Sequence, residues 1–205
     1  MYNSALGISS EGITRSYDKV KLMAFTEWSP PAPFRDWLGL LGVRERPMAG
    51  GGAVHALQLG HEPPVGTLIC AESLFGWVAR LQVQDGACWL AVMANDYWLI
   101  GRAVREQYAD FCVVRAIETR RWVARASTVG ISGFYAPTGE LVAALPMGKP
   151  GVLVQAIEPR TSQTLYVRWG DWGAYGCLVI AIGAFVVYSF DQRRWRLAAR
   201  TFLPR

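Results

Sequence analysis

Apolar and polar positions alternate from the start of the chain. Asn3 to Ile8 reads as an extended segment, Ser9-Ser-Glu-Gly12 as its turn, and Ile13 to Tyr17 as the returning strand of a hairpin. The alternation stops between Ser29 and Pro64, where Pro30-Pro-Ala-Pro33, Gly50-Gly-Gly52 and Pro63-Pro64 surround one apolar patch at Trp37 to Leu41. So long a stretch reads as a functional loop over 29–64, because loops beyond about 12–15 residues are mostly lids or binding loops. Trp28, Phe34, Trp37 and Leu38 would either dip into lipid or close over the core.

Val65 to Ile69 is a short β-branched run ending at Cys70, and Ser73 to Gln82 has helical spacing with Leu74, Val78 and Leu81 on one face. Strand, tight turn and helix follow from that pattern. Ala87 to Ala94 is almost wholly apolar, as expected of a strand buried on both faces. Arg102 to Thr119 predicts an amphipathic helix carrying Val104, Tyr108, Phe111 and Arg115. Trp122 to Thr128, Gly130 to Tyr135, Leu141 to Leu145 and Gly151 to Ala156 predict strands, with a hairpin turn at Pro137-Thr-Gly-Glu140. Such alternation of strands and helices makes a layered α/β domain, placed over residues 1–168.

Trp172 to Phe190 carries no charge and is bounded by Asp171 and Asp191. It approaches the length of about 20 apolar residues that spans a bilayer core, which predicts a transmembrane helix over 169–191. Trp169 and Trp172 supply one interfacial anchor. A basic tail over 192–205, with Arg193, Arg194, Arg196, Arg200 and Arg205, supplies the other and is expected on the cytoplasmic side.

Composition sharpens this picture. The chain's 205 residues suffice for one domain with a real core, and 52% hydrophobic against 18% charged residues is high for a protein that never meets lipid. A net charge of +5 would suit nucleic acid, but the basic residues concentrate in the tail, so nucleic acid is not the expected partner. Cys70, Cys88, Cys112 and Cys177 show no CxxC or Cys/His ligand spacing, which excludes a zinc motif and a disulfide framework. The two histidines, His55 and His61, lie in the Gly/Pro-rich loop and read as solvated.

Three blocks carry candidate chemistry. In Tyr17-Asp-Lys19, followed by Leu22-Met-Ala-Phe25-Thr-Glu27, a lysine ends a strand and a glutamate follows. Alone, Lys19 reads more readily as a solvated surface lysine. In Leu68-Ile-Cys70-Ala-Glu72 a cysteine sits between strand and helix, where a helix N-terminus stabilises a thiolate and free backbone N–H groups hold an oxyanion. A buried inert cysteine is the competing reading; Cys88, Cys112 and Cys177 are assigned to packing. The third block is Asn95-Asp-Tyr-Trp98, then Gln107, Arg115-Ala-Ile-Glu118 and Arg125-Ala-Ser-Thr-Val-Gly130-Ile-Ser132. Its polar residues would line a pocket or tie loops together, with structural ion pairs the default for Arg115, Glu118 and Arg125.

In this order and spacing the blocks resemble the nitrilase (carbon-nitrogen hydrolase) superfamily over nearly the whole chain. Tyr17-Asp-Lys19 matches the family's lysine block, Cys70-Ala-Glu72 its Cys-x-Glu, Asn95-Asp-Tyr-Trp98 its Asn-Asp-x-Trp, and Arg115-Ala-Ile-Glu118 its Arg-Ala-x-Glu helix. Within the superfamily the chain is most similar to the apolipoprotein N-acyltransferases, on Leu22-Met-Ala-Phe-Thr-Glu27 and on Arg168-Trp-Gly-Asp-Trp172 before the apolar helix. It departs from them at Ala24 for Pro, Thr26 for Gly, and Ala71 where an aromatic is frequent.

The resemblance implies a nitrilase-like αββα sandwich, of which this would be the C-terminal part, followed by one transmembrane helix. It also implies acyl transfer from a phospholipid donor to the N-terminal amine of a diacylglyceryl-lipoprotein through a thioester on Cys70. Lys19 and the N–H of Ala71 would hold the oxyanion; Glu27, Glu72, Asn95 and Trp98 would support the site. No cofactor or metal is implied. The setting would be the bacterial inner membrane, with the α/β domain on its periplasmic side and the C-terminus in the cytoplasm.

The family's general base is a glutamate on a strand well upstream of the lysine, and the one glutamate before Lys19 here is Glu11, in a turn. The chain is therefore expected to be incomplete, lacking that base and the family's upstream membrane bundle, and to have little activity alone. The alternatives are an amide hydrolase of the same fold and an inactive remnant.

Overall fold

The computed structural model describes residues 1–9, 12–24, 26–28, 31, 34–40 and 47–201, without the side chains of Thr14, Arg35, Leu38 and residues 190–201. Glu11, Phe25, the Leu38 side chain and the arginine side chains of the tail therefore lie outside the described residues. The chain divides into two compact units, Met1–Arg168 and Trp169–Arg205.

The first unit opens with the expected hairpin, β1 (Ser4–Ser9) antiparallel to β2 (Gly12–Asp18), in a register that pairs Ser4 with Asp18. A short helix α1 (Phe34–Leu40) lies within the predicted loop, and Trp28, Phe34 and Trp37 are about half exposed. Then comes a five-stranded sheet in the order β3 (Val65–Ile69), β4 (Trp89–Ala94), β5 (Val123–Ser127), β6 (Gly133–Tyr135), β7 (Leu141–Ala144). The first three strands are parallel and the last two antiparallel. Parallel neighbours need crossovers, which α2 (Gly76–Gln84) and α3 (Arg102–Thr119) provide.

Both helices cover one face of the sheet. Leu68, Leu90, Val92, Val123 and Tyr135 from the strands meet Val78, Ala79 and Val83 of α2 and Cys112 and Ala116 of α3. A second cluster on the other side of β3 joins Val65 and Ile69 to Ala5 and Tyr17 of the hairpin and to Leu57. Arg80 reaches from α2 to donate to the carbonyls of Tyr166, Val167 and Arg168 at α4 (Leu165–Trp169).

Several expectations are corrected. Ala87 to Ala94 is not buried on both faces: Leu90, Val92 and Ala94 are buried, whereas Met93 is 41% exposed, because no described element covers that side of β4 near its C-terminal end. The buried face of α3 is Ala109, Cys112, Arg115, Ala116 and Thr119, so Val104 and Phe111 point largely outward. Apart from Arg115 that face is made of small residues, which lets the helix lie close on the sheet. Gly130 to Tyr135 shortens to Gly133–Tyr135, since the ladder ends at the Arg125–Gly133 pair and beyond it Ser127 bonds the Ser132 hydroxyl and the Gly130 N–H instead. Gly151 to Ala156 forms no strand, and Val152 and Val154 are almost fully exposed.

In the second unit α5 runs Trp172–Thr201, longer than the expected apolar span. Its segment Trp172–Ser189 is long and apolar enough to cross a membrane, with its side chains exposed. Cys177 is exposed there and packs in no core, contrary to expectation, whereas Cys88 and Cys112 are buried. Burial pushes the Cys112 thiol up to about 12, as befits a packing cysteine.

Candidate active site

Four side chains of the site follow the end of a strand. Lys19 comes directly after β2, Cys70 after β3, Asn95 after β4 and Thr128 after β5. The parallel strands β3, β4 and β5 deliver Cys70, Asn95 and Thr128 to one edge of the sheet, where open α/β sheets bind ligands, and Lys19 comes from the separate hairpin sheet.

Cys70 does not begin an α-helix. It opens a 3-10 turn, Cys70–Leu74, and α2 starts only at Gly76. Its φ of 53° lies in the left-handed region, unusual for a non-glycine residue and held only where the surroundings enforce it. The enforcement comes from Glu72, fully buried, whose Oε2 accepts the Ile69 N–H at 2.9 Å while Oε1 accepts the Tyr17 hydroxyl at 3.0 Å and the N–H groups of Val20 at 2.8 Å and Lys21 at 3.0 Å. One carboxylate thus joins the nucleophile turn to the strand end that carries Lys19. Burial raises the Glu72 carboxyl above its usual range, with these donors working against the rise; the burial and the charge of Glu72 push the Tyr17 phenol up strongly. Arg115 braces the same turn from α3, donating to the Ser73 carbonyl at 3.0 Å and pairing with Glu118 at 2.7 Å. Ala71, second in the 3-10 turn, has no partner for its N–H inside that turn.

Lys19 is 1% exposed, not the solvated lysine that the residue alone suggested. Its Nζ pairs with Glu27 Oε2 at 2.5 Å. Glu27 also accepts the Met23 N–H at 2.9 Å and the Asn3 side-chain amide at 3.3 Å. Burial pushes the Glu27 carboxyl up, but the hydrogen bonds from Lys19 and Met23, the Lys19 charge and Asn3 together hold it below its ordinary value. Gly51 sits on this strand end, its N–H donating to the Lys19 carbonyl at 2.9 Å, and a Cβ there would collide with the Asp18 carbonyl.

A cavity of about 530 Å³ is lined by Asn3, Lys19, Met23, Thr26, Glu27, Met48, Cys70, Asn95 and Trp98. A second, of about 400 Å³, shares Asn3, Cys70 and Asn95 with it and adds Ser4, Ile69, Met93, Ala94, Ala126, Ser127 and Thr128. Cys70 therefore faces both. Trp98 meets Tyr108 edge to face, with ring centroids 5.8 Å apart. Burial first, and then the charges of Cys70 and Asp96, push the Tyr108 phenol up to about 12. Beneath Asn95, Asp96 and Arg125 form a fully buried pair at 2.7 Å, and Ser127 Oγ donates to Asp96 at 2.6 Å. Among the described residues no cluster of three or more His, Cys, Asp or Glu would hold a metal ion.

The residues singled out from sequence fall into two groups. Cys70, Lys19, Glu27, Asn95 and Trp98 share one cavity wall, whereas Glu72 and Ala71 lie buried under Cys70, and Gln107, Arg115 and Glu118 are on α3 away from it. Sequence reasoning missed Asn3 and Met48, while Met23, Ser127 and Thr128 lay inside its candidate blocks without a role of their own. For Asn3 a signal existed: the hairpin register places it beside Lys19, whose N–H donates to its carbonyl at 2.8 Å.

Residues 1–166 match the family model of carbon-nitrogen hydrolases. Among curated proteins the chain is similar to the apolipoprotein N-acyltransferase of Thermotoga maritima, 33% identical over 181 residues that cover 88% of this chain and 36% of that protein. It is likewise similar to the apolipoprotein N-acyltransferase of Geobacter metallireducens, 30% identical over 194 residues, 94% of this chain and 36% of that protein. The chain thus spans about a third of the length of these relatives. Among solved structures it is similar to a Saccharomyces cerevisiae member of branch 10 of the nitrilase superfamily, with a TM-score of 0.54 and 17% identity over 73% of this chain and 51% of that one, a likeness of fold. The nitrilase-like fold is that expected from the motifs, and with the family model matched over most of its length the chain belongs to the carbon-nitrogen hydrolase family.

Proposed function

We propose that this chain carries the nucleophile and oxyanion-binding groups of an apolipoprotein N-acyltransferase. The observation that supports it best is the meeting of Cys70, on its enforced left-handed turn, with the buried Lys19–Glu27 pair on the wall of one cavity. The names of the curated relatives supply the substrate class. In this reading the Cys70 sulfur bonds to the ester carbonyl carbon of a phospholipid, the Lys19 ammonium and the Ala71 N–H hold the oxyanion, and its collapse expels the lysophospholipid, which leaves with a proton. The amine of a diacylglyceryl-lipoprotein cysteine then attacks the thioester, forms the amide and returns Cys70 as a thiol.

Glu27 is committed to Lys19, Met23 and Asn3, so its part is to hold Lys19 charged and in place. The group that takes the thiol proton lies outside the described residues, supplied by the remaining length of the protein or by a second polypeptide. Such assistance is typically worth roughly 10²–10⁴-fold, so the chain alone would acylate slowly. The α5 segment Trp172–Ser189 spans the inner membrane, with residues 1–168 on the periplasmic side and 192–205 in the cytoplasm, which keeps the site beside a donor and an acceptor that are both lipids.

The test is labelling of membranes that contain the protein with an acyl-phospholipid probe, comparing the parent with Cys70→Ala. A hydroxylamine-sensitive adduct that disappears in Cys70→Ala supports the assignment. Absence of any adduct in a folded, membrane-inserted parent overturns it.

A further inference from the structure

Asn95 and Thr128 follow different strands and lie 33 residues apart in sequence. The parallel register that pairs Ala94 with Ser127 makes them the next residues side by side at the sheet edge. Their hydrogen bonds have a fixed polarity. The Asp96 N–H donates to Thr128 Oγ1 at 3.2 Å, so the Thr128 hydroxyl proton is directed elsewhere, and it is donated to Asn95 Oδ1 at 3.0 Å. The same Oδ1 accepts the Tyr97 N–H at 3.2 Å. A backbone N–H only donates, so the amide cannot be turned over: its oxygen is held by two donors, and its NH2 is the end left for whatever occupies the cavities shared with Cys70.

The Thr128 backbone is itself anchored, its N–H donating to the Ala94 carbonyl at 3.2 Å. One residue back, Ser127 Oγ donates to the Asp96 carboxylate at 2.6 Å and accepts the Gly130 N–H at 2.9 Å. Gly130 lies so close that a Cβ would overlap that carboxylate. The Arg125–Asp96 pair below is closed to solvent. The strand-end loop bearing Asn95 is therefore pinned from beneath, and its side-chain amide is held by Thr128 together with the Tyr97 N–H.

We propose that Thr128 is a positioning residue that fixes the Asn95 carboxamide with its NH2 toward the cavity, so that Asn95 donates to the carbonyl oxygen of an ester or thioester at Cys70, alongside Lys19 and the Ala71 N–H. The proposal rests on the acyl-transfer reading above. As the sulfur bonds to the carbonyl carbon, the C=O electron pair moves onto oxygen, and a donor already aimed at that oxygen gains strength as the charge grows.

Two reagents separate this role from a structural one: a long-chain acyl p-nitrophenyl ester, whose carbonyl would meet Asn95, and methyl methanethiosulfonate, which modifies the thiol without one. The whole protein in membranes is treated with each, and the Cys70 peptide is followed by mass spectrometry. Asn95→Ala should slow acylation by about 10²-fold, the size of one lost oxyanion donor. Thr128→Val should slow it by about tenfold, as expected for losing one orienting hydrogen bond, with thiosulfonate reaction unchanged and Thr128→Ser restoring the rate. In the Asn95→Ala background Thr128→Val should add nothing, because its effect runs through Asn95. Acylation of Thr128→Val at the parental rate, or a loss that persists without Asn95 or is not restored by serine, overturns the proposal and leaves the acyl-transfer reading intact. A parent that reacts with the thiosulfonate but with no ester overturns both.

Discussion

Two ion pairs of equal length, 2.7 Å, sit at opposite extremes of solvent access: Arg125–Asp96 with both side chains fully buried, and Arg102–Glu106 with 83% and 41% of the side chains exposed. Arg125 Nε and Nη1 and Asp96 Oδ1 have no hydrogen-bond partner among the described residues, so the buried charges depend chiefly on one another. Asp96→Asn removes one charge and leaves a guanidinium in a closed site, which costs about 3–5 kcal/mol. For a chain of this size each kcal/mol moves the melting temperature by about 2–4 °C, so the expected fall is roughly 6–20 °C. Arg102→Ala, breaking the solvated pair, should melt with the parent. The assay is the fluorescence of the nine tryptophans during heating of detergent-solubilised protein at one fixed scan rate. Replacing both buried partners, Asp96→Leu with Arg125→Met, should recover much of the loss. An Asp96→Asn protein that melts with Arg102→Ala would refute the reasoning, since it would mean that the pair is wetter than its geometry.

Glu72→Gln puts an NH2 among four donors and should destabilise the protein by about 1–3 kcal/mol, read in the same melts, while leaving Cys70 less reactive because its turn relaxes. Glu27 is held below its ordinary value near 4.5, so its stabilising effect is complete above that pH and disappears as pH falls through the depressed value. Glu27→Gln should therefore flatten the acid limb of a stability–pH profile, and an unchanged limb would count against the Lys19–Glu27 pair as its origin. Gly130→Ala forces a methyl into the Asp96 carboxylate and should cost about 1–3 kcal/mol by overpacking, seen as a lower melting temperature. Trp98→Ala should weaken labelling by long acyl chains more than by short ones, as checked by competition between probes of two lengths, because it removes the aromatic wall of the larger cavity.

The local signals of the sequence are strongest for elements whose partners are near in the chain. The hairpin around Ser9 to Gly12, the helix Arg102–Thr119 and the apolar helix from Trp172 were all legible, since turn residues and periodicity suffice for them. Gly151 to Ala156 has the alternation of a strand but finds no sheet edge, so propensity without a partner gives none. Lys19 shows the limit most sharply. Its residue type predicts a solvated side chain, and only the turn from Met23 to Trp28, where the N–H groups of Glu27 and Trp28 both reach the Met23 carbonyl, brings Glu27 back onto it. The motif resemblance puts Glu27 among the residues supporting the site, which elementary patterning does not, and the pairing itself is seen in the structure.

What links the legible and the illegible parts is the parallel register itself. Strand ends at Asp18, Ile69, Ala94 and Ser127 are approximately readable from apolar runs, and the residue after each is Lys19, Cys70, Asn95 or Thr128. Chemistry in such a sheet belongs to the position just past a strand, because there the backbone leaves the ladder and its side chain is freed from the alternation that buries its neighbours. Reading one residue beyond each expected strand gives Cys70 and Asn95 but misses Lys19 and Thr128 by one position, because the pattern ends those strands at Tyr17 and Thr128. It would not have shown that Thr128 faces Asn95, which depends on the Ala94–Ser127 pairing and therefore on which strand neighbours which. The order β3, β4, β5 in space brings Cys70, Asn95 and Thr128 to one edge, whereas Lys19 joins them from the separate β1–β2 sheet through the Glu72 carboxylate that ties its strand end to the Cys70 turn.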